Sequence, residues 1–229
     1  MTTRTYLLWD IDGTLLSTAR AGVIALEQAT AEVMGDDVDL STMKTAGLTD
    51  AEICLLIAGG DAERGARILR RYAELLPDAL PLREGEVLPN VPEVLTAMAA
   101  RDDVVNMLLT GNVAAGAEAK LRHYDLWSFF AETGGAFSIE GSDRPSIARE
   151  AARLAAEHAG ADLPGDRLIV IGDTPHDVSC GKVIGARTVA VATGPGYGLA
   201  ELEACDPWIA LERLPAPDAF AERLGLGAA

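Results

Sequence analysis

Residues 6–18 read YLLWDIDGTLLST. An apolar run ends in two acids, Asp10 and Asp12, with one residue between them, and a Gly-Thr turn follows. A short continuous apolar run of this kind predicts a strand buried on both faces. Such a strand delivers both carboxylates to its carboxyl end, where they repel each other unless positive charge lies close by. The source of that positive charge decides how the rest of the chain is read.

Other apolar runs repeat the pattern. Residues 104–109, 168–171 and 188–192 predict buried parallel strands, and the Ala-rich stretches 91–100, 114–124, 146–159 and 178–184 have helical spacing. Strand alternating with helix predicts an α/β protein, a Rossmann-like parallel sheet with helices on both faces. Ligands in such sheets gather at the carboxyl ends of the strands. One segment departs from the alternation. From residue 17 to 85 each strong pattern is helical, including ARAGVIALEQATAEVM and ERGARILRRYAELL, and a proline-rich stretch then returns the chain to extended form. The expected organisation is a catalytic core of residues 1–16 and 86–229, with an inserted α-helical cap at 17–85. A short strand, a turn and a last helix or tail are expected near the C-terminus.

Composition narrows the partners. In 229 residues, nineteen Lys and Arg face thirty-five Asp and Glu, a formal net charge of −16. That acidity argues against nucleic acid and anionic membranes as partners. A site for an anion must then build its positive charge locally. The three cysteines are far apart and form no zinc-type cluster, which fits free thiols in a reducing compartment. No basic lead with an apolar signal segment opens the sequence, and no apolar run is long enough to span a bilayer, so a cytoplasmic location is expected.

Four motifs stand at the ends of predicted strands or next to them: Asp10-Ile11-Asp12-Gly13-Thr14, the Thr110-Gly111-Asn112 of LLTGN, the Arg144 of SDRPS, and Asp173 with Asp177 in LIVIGDTPHDV. Parallel strands would bring all four to one edge. Several carboxylates there would raise each other's pKa, and a divalent cation would cancel the repulsion. Oxygen ligands without His or Cys favour Mg²⁺ over zinc.

With DIDGT, LLTGN and IGDTPHD in this order, the chain resembles the haloacid dehalogenase superfamily of phosphohydrolases, and in particular its phosphatases with a small helical cap, such as phosphoglycolate phosphatase. The resemblance covers nearly the whole chain. It implies that Asp10 attacks phosphorus and that Asp12 serves as general acid and then base. Thr110 would bond a phosphoryl oxygen, with Gly111, Asn112 and the backbone of residues 11–13 as further donors to the substrate. Arg144 stands where the family more often has Lys. Mg²⁺ would be held by Asp10, the backbone carbonyl of Asp12 and Asp173, with Asp177 further out, through water or by orienting Arg144. Alternatively, Asp177 is a first-turn acid facing its helix dipole. Dehalogenases lack the second acid, so Asp12 points to phosphoryl chemistry on a small phosphate monoester. A phosphomutase of the β-phosphoglucomutase kind and a non-catalytic phosphate- or partner-binding module are the alternatives. In the cap, Arg20, Lys44 and Thr49 are candidate substrate contacts, or ordinary surface and helix-capping residues.

Overall fold

The computed structural model describes residues 4–40, 42–43, 45 and 47–227. In chain order the elements are β1 (Thr5–Trp9), β2 (Leu16–Ser17), α1 (Ala21–Met34), α2 (Asp50–Ile57), α3 (Ala62–Ala79), β3 (Glu86–Val87), α4 (Val91–Ala99), β4 (Val104–Val113), α5 (Ala114–His123), β5 (Gly135–Ser138), α6 (Arg144–Ala159), β6 (Leu168–Gly172), α7 (Pro175–Ile184), β7 (Arg187–Val191), α8 (Leu199–Glu203), β8 (Ile209–Leu211) and α9 (Pro217–Arg223).

Six strands form one sheet in the order β5-β4-β1-β6-β7-β8, and every pairing is parallel. The period of two explains the layers. Leu7, Trp9, Leu108, Ile169 and Ile171 face the side covered by Val94 and Leu95 of α4, Leu121 of α5 and Phe220 of α9. Their neighbours Tyr6, Leu8, Met107, Leu109 and Val170 face Ile147, Ala148 and Ala151 of α6. Both faces are buried, so these strands read as unbroken apolar runs in the sequence.

β1 is flanked by β4 on one side and by β6 on the other, so the order of connection reverses there. Crevices at such a reversal are where α/β sheets bind ligands. The register fixes which residues meet. Trp9 pairs with Leu108 and with Ile171, so Asp10 emerges beside Leu109 and Thr110 in the second half of β4 and beside the Gly172-Asp173 end of β6.

The chain leaves this core and returns to it through one small antiparallel ribbon, with Leu16 opposite Val87 and Ser17 opposite Glu86. Between the two ribbon strands lie α1, α2 and α3. They bury a separate apolar cluster that includes Ala25, Ala29, Ile53, Ile68, Tyr72 and Leu76. α2 starts with a capping box in which Thr49 and Glu52 satisfy each other's backbone N–H groups. Cys54, Cys180 and Cys205 form no disulfide. Among the described residues, no helix is long and apolar enough to cross a membrane.

Candidate active site

The loop after β1 is held in one conformation. The N–H groups of Thr14, Leu15 and Leu16 reach the Ile11 carbonyl at 3.2, 2.8 and 3.2 Å. The Gly13 N–H donates to the Leu16 carbonyl at 2.9 Å, so it is not free to serve a ligand, contrary to expectation. Gly13 has φ +79°, and a Cβ there would run into the Asp173 carboxylate, as would one on Gly194. Glycine is required because the two loops approach within side-chain distance of each other. Asp173 also accepts a hydrogen bond from the Thr14 hydroxyl at 3.3 Å.

Asp10, Asp173 and Asp177 are all buried, and one oxygen of each lies within 4.8 Å of the others. Burial raises the Asp10 pKa to about 7; nearby Arg144 pulls it down, Asp177 pushes it up and a Thr110 hydrogen bond pulls it down. Desolvation wins although a guanidinium stands close by. Asp173 rises further, to about 9, through burial first and then through Asp177 and Asp10. Asp10 and Asp173 thus resist ionisation by themselves, and a crowded set of oxygen donors fits a hard divalent cation. The Asp12 side chain lies outside this cluster.

Arg144 is the first residue of α6, and its side chain turns back into the site. Its guanidinium lies 3.8 Å from Asp10 Oδ2 and 3.3 Å from Asp177 Oδ1, and its Nε donates to the Gly47 carbonyl at 3.1 Å. Asp177 is fully buried; its other oxygen accepts from the Thr174 N–H and hydroxyl at 3.0 and 2.7 Å. That carboxylate therefore caps α7 and holds Arg144 at once, so two of the readings of Asp177 coexist.

Asp12 has different company. Its Oδ2 accepts from Lys120 Nζ at 2.6 Å and from Asn112 Nδ2 at 2.8 Å. Its immediate partners are a cation and an amide, not the neighbouring acids. Asn112 also donates to the Thr110 hydroxyl at 2.8 Å, and Gly111 packs against Arg144 and Leu48.

A cavity of about 460 Å³ opens between these strand ends and the helices α1–α3; Asp10, Asp12, Gly111, Asn112, Arg144 and Asp173 line it. Arg20 lines it too, with one Nη 3.4 Å from the Leu40 carbonyl. Thr49 does not line it. Its hydroxyl accepts the Glu52 N–H at 3.1 Å, because the first turn of α2 needs a cap there. The next residue, Asp50, faces the cavity instead and accepts the Val113 N–H at 2.9 Å. Lys44 lies outside the described residues.

The sequence did not mark Asp50 or Lys120. Lys120 is one of only three lysines in the chain, and it sits on the α5 face that also buries Ala117 and Leu121. Side chains on a helix lean toward its N-terminus, which here abuts the end of β4. That lean carries the ammonium back to the strand edge.

At the reversal point of a parallel sheet, a buried acid, a carboxylate cluster and a cavity meet where α/β enzymes bind their ligands. The sequence assigns it more closely. Residues 7–182 match the haloacid dehalogenase-like hydrolase family, and residues 144–223 match an HAD-hydrolase-like family. The chain belongs to the haloacid dehalogenase-like hydrolases.

Solved structures with this fold include a predicted phosphatase from Clostridium acetobutylicum, at TM-score 0.74 and 19% identity over 98% of this chain and 100% of that one. A predicted phosphoglycolate phosphatase from Haemophilus somnus 129PT aligns at 0.68 and 15% over 97% and 99%. A provisionally assigned β-phosphoglucomutase from Thermotoga maritima aligns at 0.58 and 18% over 95% and 97%. No curated protein matches significantly by sequence.

Proposed function

We propose that the protein is a Mg²⁺-dependent phosphatase that hydrolyses a small phosphate monoester through an aspartyl-phosphate on Asp10, with residues 17–85 serving as a cap over the site. One observation carries this reading. Two acids two residues apart line one cavity in unlike settings, Asp10 buried in the acid cluster and Asp12 half-exposed at 43% of its side chain. A nucleophile and an acid–base group need that division of roles.

Asp10 attacks phosphorus while Arg144 lies beside its carboxylate and the incoming phosphoryl group. Thr110 donates its hydroxyl to a phosphoryl oxygen. Asp12 gives a proton to the departing alcohol, then takes one from the water that cleaves the aspartyl-phosphate. Mg²⁺ would be held by Asp10, Asp173 and the Asp12 carbonyl, with Asp177 behind them through Arg144. When bound, the ion offsets the repulsion between carboxylate and phosphoryl oxygens. Segment 47–51 would dock the cap on the core through the Gly47 and Asp50 contacts, shielding the site from bulk water.

The test is hydrolysis of 4-nitrophenyl phosphate with Mg²⁺ and with EDTA, followed by a panel of phosphate monoesters. Metal-dependent release of inorganic phosphate is the expected result. Absence of release from every ester in the panel would overturn the reading, and isomerisation of a sugar phosphate without release would replace it with a mutase.

A further inference from the structure

Nothing in the sequence marks Lys120, and the chemistry above gives it no task. Its side chain is only 6% exposed. An ammonium is costly to bury unless it is paired, and an apolar residue would fill the same space in α5 without that cost. Its partners are both groups of the site, Asp12 Oδ2 at 2.6 Å and Asn112 Oδ1 at 2.6 Å. The Asn112 amide nitrogen donates to the same Asp12 oxygen at 2.8 Å and to the Thr110 hydroxyl at 2.8 Å. Asp12 Oδ2 thus accepts from two donors. Among the described residues, Asp12 Oδ1 has no hydrogen-bond partner, and Asp12 lines the cavity.

We propose that Lys120 is a positioning residue for the acid–base step: with Asn112 it fixes the Asp12 carboxylate so that Oδ1 alone exchanges protons with the reacting oxygens. This rests on the phosphatase reading. A proton on Oδ2 would point at donors already in place, so Oδ1 is the oxygen open to give or take one. In the first step a bond forms from Asp10 to phosphorus as the ester P–O bond breaks. The electron pair goes to the ester oxygen, which takes the proton from Oδ1. In the second step water bonds to phosphorus, its proton passes to Oδ1, and the bond between phosphorus and Asp10 breaks. Lys120 remains an ammonium throughout and gives up no proton. Through Asn112, the carboxylate that shuttles protons and the hydroxyl beside the phosphoryl group are held by one amide.

A merely structural lysine would affect all substrates alike, whereas a positioning lysine matters most when the leaving group needs a proton. The experiment measures kcat/KM in Mg²⁺ for monoesters ranging from 4-nitrophenyl phosphate to alkyl phosphates. This constant reports events only through leaving-group departure, so the second proton transfer does not enter it. Lys120→Met is expected to lose roughly 100-fold on alkyl phosphates and less than about threefold on 4-nitrophenyl phosphate, steepening the leaving-group dependence. Lys120→Arg keeps a cation and restores most of the alkyl activity. In an Asp12→Asn background, which is already steep, Lys120→Met adds no further steepening. If Lys120→Met does not fold, Lys120→Gln carries the same readout. An equal loss across the series, no loss at all, or extra steepening in the Asp12→Asn background overturns the proposal. A wild-type enzyme inactive on every ester removes the phosphatase reading as well. An active wild type with an unchanged slope in the Lys120 variants removes this inference alone.

Discussion

Asp10 and Asp12 are neighbours in the chain and belong to two different regions of the site. Around Asp10 lies a closed nest of carboxylates in which burial dominates; Arg144, 3.8 Å away, does not bring its pKa back to the ordinary carboxylate range. Around Asp12 lies an open wall, where an ammonium and an amide hold one oxygen. The first region crowds carboxylates together, as a site for a divalent cation does. The second is complete in the polypeptide itself. One motif can therefore supply two chemistries, because the two-residue step along the loop takes the chain from the sheet edge to the cavity wall.

The comparison breaks most sharply at Asp10. Asp10→Asn is expected to lower turnover at least about 10⁴-fold, as loss of a nucleophile does. The same variant should melt no lower than wild type at pH 8 in EDTA, because it removes one charge from the crowded nest. Phosphate release and a thermal melt measured together test both halves. Retained turnover ends the nucleophile assignment, and a large drop in melting temperature ends the account of the nest.

The next effect is on stability. Asp10 and Asp173 have native pKa values of about 7 and about 9, above the usual carboxylate value of about 4. The native state therefore holds protons that the unfolded chain has released. In that window the unfolded state binds fewer protons, so metal-free stability is greatest in acid and falls as pH rises from about 4 to about 9. Mg²⁺ requires the ionised carboxylates, so its stabilising effect should grow over the same range. Melting temperatures in EDTA are expected to fall between pH 5.5 and pH 8.5, with the gain from added Mg²⁺ larger at pH 8.5. An equal gain at both values contradicts the idea that charge crowding sets the metal requirement. Asp173→Asn should flatten the EDTA curve.

What the sequence disclosed follows the same division. The strands β1, β4, β6 and β7 were legible because burial on both faces leaves an unbroken apolar run. β5 was not: it is a four-residue edge strand, and it begins at Gly135, where a Cβ would run into Leu108 of β4. Asp10, Thr110 and Asp173 were legible because register alone sends the ends of adjacent parallel strands to one place. Lys120 reaches the site from the seventh position of α5, and only the rotation of that helix against the sheet decides whether the position is core, surface or site. The helical insert was harder to read for a related reason. Thr49 and Asp50 differ by one place in the chain, yet one caps its helix and the other faces the cavity. Nothing local separates those outcomes before α2 is docked on the core.

Asp50 supplies the smallest effect and the finest test of the contrast. It belongs to the helical insert, yet its carboxylate accepts the first N–H offered by the core as β4 turns into α5. Burial raises its pKa to about 6, against the pull of Lys120 and of the Val113 hydrogen bond. The native state then keeps a proton that the unfolded chain loses, so this residue's contribution is best in acid and declines as pH rises from about 4 to about 6. Asp50→Asn keeps an acceptor for Val113 and removes the buried charge. It is expected to match wild-type stability at pH 4 and to exceed it at pH 7.5 by about 2 kcal/mol, an upper figure since the carboxylate is not wholly shielded. Denaturant melts at the two pH values read the difference directly. A variant less stable than wild type at pH 7.5 would mean that the attraction between Asp50 and Lys120 outweighs the cost of burying the carboxylate. The seam between insert and core would then be held by that attraction, like the Asp12 wall, and would not resemble the desolvated nest around Asp10.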